Sequence, residues 1–161
     1  PDEFTTVQGA GGWFYFQTAP ESIAYQSLAW GAAPDDAGHN LTDCWRDATA
    51  PAALIAQRKI HPAAGQDAII AWRAPRAGKA ELTATLSCLD ADPEGDGAAV
   101  TFWHNAARVS EPAHLANQPG QTHTLSCTHT VKAGDTLNFR LHAVENDGAD
   151  WFSYAIEIRV Q

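Results

Sequence analysis

A chain of 161 residues, 45% of them apolar, is sized for a single domain spanning residues 1–161, with a continuous core and no need of covalent staples. Nineteen acidic against ten basic side chains leave a net charge of −9, which disfavours nucleic acid and anionic membranes as partners and favours neutral or cation-bridged ones. No apolar run approaches the ~20 residues of a membrane span. The opening PDEF is not a basic-then-apolar leader, so an export signal is expected to have been removed or never included.

In chain order, Phe4 to Gln17 gives a short strand, a Gly-rich turn at Gly9 to Gly12, and an aromatic strand. Trp13 and Tyr15 share one face of that strand and Phe14 and Phe16 the other, so it is expected to be covered on both sides. Ile23 to Trp30 fits a strand or an apolar turn of helix. Gly31 to Pro51 changes to Ala, Asp, Gly, Pro and Asn around Trp45 and reads as a long surface loop, a length often tied to function. Seven further runs follow: Leu54 to Ile60, Asp67 to Trp72, Lys79 to Leu89, Ala98 to Asn105, Thr122 to Val131, Thr136 to Val144 and Trp151 to Val160. Turn signals such as His61-Pro62, Pro119-Gly120 and Asn146-Asp147-Gly148 separate them. Regularly spaced alternating runs without helical periodicity predict an all-β fold, an antiparallel β-sandwich.

Chemistry concentrates in Leu89 to Asn105. Asp90, Asp92, Glu94 and Asp96 place carboxylates at alternate positions beside Gly95 and Gly97, which suits either a calcium-binding loop or a solvated hairpin end. An EF-hand match fails, because the twelfth position is Thr101 and a strand follows. On that strand Trp103 and Asn105 face away from Val100 and Phe102, which would offer a sugar a stacking ring and an amide. Cys88 shares a face with Leu82 and Leu86, and Cys127 with Leu125 and Val131; face parity allows a Cys88–Cys127 bridge or two buried thiols.

The succession QG…GWFYF, IHPA, AIIAWRAPRAGKAEL, DPEGDGAAV, VKAGDTLNF and NDGADW resembles the non-catalytic β-sandwich carbohydrate-binding modules of bacterial secreted polysaccharide-degrading enzymes. It covers most of the chain outside Gly31 to Pro51. The resemblance implies a jelly-roll or galactose-binding-like sandwich, export from a bacterium, polysaccharide or oligosaccharide binding, and often a structural calcium ion. A monomeric module tethered to a catalytic domain is the corresponding expectation.

Sugar binding asks for exposed rings and for amides, carboxylates or Arg to read hydroxyls. Trp13 and Trp72 sit in apolar strands and are assigned to the core. Trp30, Trp45, Trp103 and Trp151 are the candidate platforms, with Asn105, Asp43 and Arg73 to fix orientation. Five of the ten basic residues, Arg58, Lys59, Arg73, Arg76 and Lys79, form either a charged sheet edge or a patch for acidic sugars. No HExxH, nucleophile elbow or phosphate loop marks a reaction. A small lyase or hydrolase using His, Tyr and Arg, and an adhesion or spacer module, are the competing expectations.

Overall fold

The computed structural model describes residues 4–34, 39–48, 53–90, 96–146 and 150–161. Its strands, in chain order, are β1 (Trp13–Thr18), β2 (Gln26–Ser27), β3 (Ala29–Ala32), β4 (Asp43–Arg46), β5 (Leu54–Ala56), β6 (Lys59–His61) and β7 (Asp67–Arg73). They continue with β8 (Gly78–Cys88), β9 (Ala98–His104), β10 (Ala107–Arg108), β11 (Ala113–Leu115), β12 (Thr122–Val131), β13 (Thr136–Ala143) and β14 (Phe152–Val160). Two seven-stranded sheets result, one ordered β10-β9-β13-β7-β1-β2 with β11 beside β9, the other β12-β8-β14-β6-β5-β4-β3. Every pairing is antiparallel, and the chain is an all-β sandwich. Among the described residues no helix is long and apolar enough to cross a membrane.

Alternation sets which residues meet between the sheets. From the first sheet come Tyr15, Ile70, Trp72, Val100, Phe102, Phe139 and Leu141; from the second, Trp45, Ile55, Ile60, Leu82, Leu86 and Phe152. β8 buries Ala80, Leu82, Ala84 and Leu86 while Lys79 and Glu81 remain exposed. Trp13 and Trp72 pair across β1 and β7 and are buried.

Of the two alternatives for Ile23 to Trp30 the strand holds: β2 and the first residues of β3 lie there, with Leu28 buried between them. Two expectations are corrected. Gly31 to Pro51 is not all loop, because β3 pairs with β4 and Trp30 faces Trp45. β3 (Ala-Trp-Gly-Ala) and β4 (Asp-Cys-Trp-Arg) are too short for alternation to read, and they pair with Trp30 against Trp45. Leu54 to Ile60 is likewise a hairpin, β5 to β6, turning at Arg58 with φ 62°.

The Cys88–Cys127 bridge is also corrected. Both side chains do point inward, but Cys127 pairs with Leu82, six positions from Cys88 along β8, or about 20 Å. Among the described residues all three cysteines are free thiols. Cys88 Sγ instead donates to Asn117 Oδ1 at 2.9 Å, tying the end of β8 to the segment after β11. Burial pushes the Cys44 thiol up to about 11, so it is un-ionised at neutral pH.

Candidate functional site

At the β3 end of the second sheet, Trp30, Asn40, Leu41, Thr42, Asp43, Ala56, Gln57 and Lys59 line a cleft of about 270 Å³. Trp30 is half-buried, held edge-on by Phe4 (centroids 5.7 Å) and Trp45 (5.8 Å), so part of its ring remains available. Asp43, opposite Ala32 at the start of β4, is exposed at the same end. Two of the sequence-derived candidates, Trp30 and Asp43, therefore come together. Asn40, Gln57 and Lys59 join them without having been singled out for this role. Lys59 belonged to the basic run, but Asn40 and Gln57 are brought in by backbone geometry, the left-handed Asn40 (φ 53°) and the turn at Arg58, which no pattern announces.

The floor of the cleft is braced from the opposite side. Lys59 Nζ donates to His39 O at 2.5 Å, and His39 Nε2 lies 2.7 Å from Asp90 Oδ1. Asp90 Oδ2 accepts from Trp151 N at 3.1 Å, and the rings of His39 and His61 flank the Trp151 ring at 5.1 and 4.8 Å. Trp151, Cys44, Leu54 and Ala56 form a small second core, against which Leu41 packs. Trp151 is thus corrected from sugar platform to core. The same holds for Trp45, which is 3% exposed, stacks on Tyr15 at 4.8 Å and donates from Nε1 to Thr5 O at 2.9 Å.

Trp103 is the larger correction. Its parity is as expected, away from Val100 and Phe102, but that face is not open. The β1–β2 connection folds over it, and the fully buried Arg140 guanidinium lies 3.6 Å from the Trp103 ring centroid. Arg140 Nη1 donates to Ser22 O at 2.8 Å and Nη2 to Tyr25 Oη at 2.5 Å, while Asp67 Oδ2 stands 4.0 Å from Nη1. Burial pulls the Arg140 pKa down, opposed by Tyr25 and Asp67. A guanidinium in the interior requires both the ring and the carboxylate.

Asn105 sits at φ 52° in the β9–β10 turn, where its Oδ1 accepts from Thr136 N at 2.8 Å and its Nδ2 donates to Asp135 Oδ1 at 3.1 Å. These bonds occupy its amide, so Asn105 is a turn residue rather than a sugar contact. Asp135 also accepts from Lys132 N at 2.8 Å and faces His104 Nε2 at 2.9 Å; these partners, Lys132 N–H foremost, lower its pKa to about 2. Arg73 is exposed, with its guanidinium 4.8 Å from the Phe14 ring centroid, and does not line the cleft. The basic run does not make one patch, since Arg73 belongs to the first sheet and Lys59 and Lys79 to the second.

Of the four carboxylates in the acidic turn, Asp92 and Glu94 lie outside the described residues. Asp90 is engaged as above, and Asp96 Oδ2 accepts from Glu145 N at 2.6 Å and Asn146 N at 3.3 Å. Asp90 and Asp96 are thus each already engaged with other segments. Among the described residues no group of three or more His, Cys, Asp or Glu is arranged to hold a metal. These two carboxylates do not by themselves supply the six to eight oxygens that calcium takes.

No protein-family model and no curated protein sequence matches the chain. In structure it belongs with β-sandwich domains. The adhesin domain of Epf from Streptococcus pyogenes is similar with a TM-score of 0.51 at 12% identity, over 93% of this chain and 59% of that one. The C-terminal domain of the sugar-binding protein EclA gives 0.48 at 18% identity, over 81% and 89%. A family 35 carbohydrate-binding module from Clostridium thermocellum gives 0.42 at 11% identity, over 91% and 92%. The likeness is one of fold.

Proposed function

We propose that the chain is a carbohydrate-binding module whose site is the Trp30 cleft. The carrying observation is the convergence of a partly exposed tryptophan, an exposed carboxylate, two amides and an ammonium on about 270 Å³. That volume is just below the ~300–1,000 Å³ of pockets for larger ligands and suits a sugar ring or two at a chain end or kink. The Trp30 ring would take the apolar face of a pyranose, Asp43 would accept from hydroxyls, and Asn40, Gln57 and Lys59 would donate to ring and hydroxyl oxygens. One carboxylate beside one ammonium suits a neutral glycan. Attachment to a secreted bacterial enzyme, with the module concentrating it on its polysaccharide, belongs to the same proposal.

Affinity electrophoresis and calorimetry against neutral and acidic glycans test the reading. Trp30→Ala is expected to weaken binding at least tenfold, or ~1.4 kcal/mol, in protein shown by circular dichroism to be folded, and Asp43→Ala, at an exposed site, to weaken it with the melting temperature close to that of the parent. Binding without product release separates a module from a lyase or hydrolase. A blank across the panel would sink the sugar site and leave the adhesion or spacer reading. The catalytic alternative has little support from geometry, since Tyr25, Arg140 and His142 do gather near Asp67 but Arg140 has no exposed surface.

A further inference from the structure

Sheet ends in this fold are short, with one exception. β2 and β10 contribute two residues each, β11 three and β3 four. β12 runs ten residues at the far end of the second sheet, in unbroken register with β8 from Thr122↔Ser87 to Val131↔Gly78. Edge strands are normally blunted by charge, proline, bulges or brevity, because their unpaired backbone groups recruit another strand. Thr122 to Val131 contains no Asp, Glu, Lys, Arg or Pro and no bulge. Among the described residues only β8 pairs with it.

The backbone parity of this edge is determined. Lys79 exchanges both backbone bonds with Gln161 on the β14 side (3.1 and 3.0 Å), and Cys88 N donates to Gln121 O on the β12 side (3.4 Å). Since bonded and non-bonded pairs alternate in an antiparallel ladder, His123, Leu125, Cys127 and His129 bond to β8. Thr122, Thr124, Ser126, Thr128 and Thr130 therefore direct their N–H and C=O groups to the open edge. These same residues are exposed.

The side chains add self-complementarity. Thr-His-Thr-Leu-Ser-Cys-Thr-His-Thr, residues 122–130, reads the same in both directions about Ser126 except that Leu125 mirrors Cys127. A two-fold axis through Ser126 would set Thr122 against Thr130 of the second copy, Thr124 against Thr128, and Ser126 against itself, all as hydrogen-bonded pairs of outward-facing backbone. On the inner face His123 would meet His129, and Leu125 would meet Cys127. The nearest charges, Glu81 beside Thr128 and Lys79 beside Thr130, would approach the Thr124 and Thr122 ends of the second copy, whose β8 neighbours are the uncharged Thr85 and Ser87. Two molecules of net charge −9 can thus meet here without opposing like charges.

We propose that a second copy of this chain docks antiparallel on β12 about a two-fold axis at Ser126, merging the two sheets into one across the dimer. This departs from the monomer expected from the sequence and is independent of the sugar site. Sedimentation equilibrium of the full chain at ~100 μM, a concentration that would populate a dimer of micromolar Kd, is expected to show a dimer. Ser126→Lys sets two ammonium groups against each other on the axis and should give a monomer that melts where the parent melts at concentrations too low for the dimer; Thr124→Glu, which would stand across Thr128 from Glu81 of the second copy, is the second variant should the first lose stability. Ser126→Cys should form a covalent dimer on mild oxidation, since directly opposed bonded pairs stand ~5.5 Å apart in Cα, inside the disulfide window. A monomeric parent protein, or a dimer indifferent to both charged variants with no cross-link at position 126, would overturn the proposal.

Discussion

Trp30 and Trp103 occupy similar positions in a sequence reading, each beside polar neighbours, yet their surroundings assign them opposite roles. Trp30 packs edge-on against Phe4 and Trp45 and keeps part of its ring exposed, whereas Trp103 is 5% exposed with its Nε1 donating to Thr101 Oγ1 at 3.0 Å and Arg140 on its face. Trp103→Ala should therefore destabilise the protein by ~3–5 kcal/mol in denaturant titration, because it opens a cavity and strips Arg140 of its ring. Loss of glycan binding at unchanged stability would return Trp103 to the binding surface. Asp135 supplies a prediction in pH. Its folded pKa, about 2, lies below the ordinary 3.8, so its stabilising contribution is present above that ordinary value and is lost as pH falls from ~4 towards ~2. Asp135→Asn should lower the melting temperature at pH 6 and flatten its decline in acid.

Elements differ in how much of themselves the sequence discloses. β8, β12, β13 and β14 lie within a residue or two of where alternation puts them, since strands of eight or more residues packed on the core leave little choice of register. Parity could not give the offset between strands, which is why Cys88 and Cys127 share an inward direction without sharing a position. β3 and β4 were illegible at four residues each, and the cleft depends on them. Just before β9, Gly97 shows why its position needs glycine: φ is 81° and an added Cβ would stand 2.2 Å from Leu115 O. Gly97→Ala should cost more than the ~1 kcal/mol of an ordinary glycine exchange and lower the melting temperature measurably. A neutral outcome would mean that the β11 end yields easily.

For the whole molecule, the sandwich was legible from rhythm and turn chemistry, while the covering of its outer faces was not. The β1–β2 connection roofs the first sheet at Arg140 and Trp103, and residues 39–42 pack over part of the second through Leu41 and His39. Neither segment carries a periodicity, so no pattern indicated which aromatics would be enclosed. The strand order of the second sheet has one more consequence. β12 and β3 are its two ends, and at ~4.8 Å per strand the Trp30 cleft stands roughly 30 Å from the β12 edge. Two copies joined there would hold their clefts roughly 60 Å apart, a span that a polymer can bridge and a short oligosaccharide cannot. Avidity would then appear on polysaccharide alone: Ser126→Lys should weaken retention on the polymer by tenfold or more and leave oligosaccharide affinity unchanged.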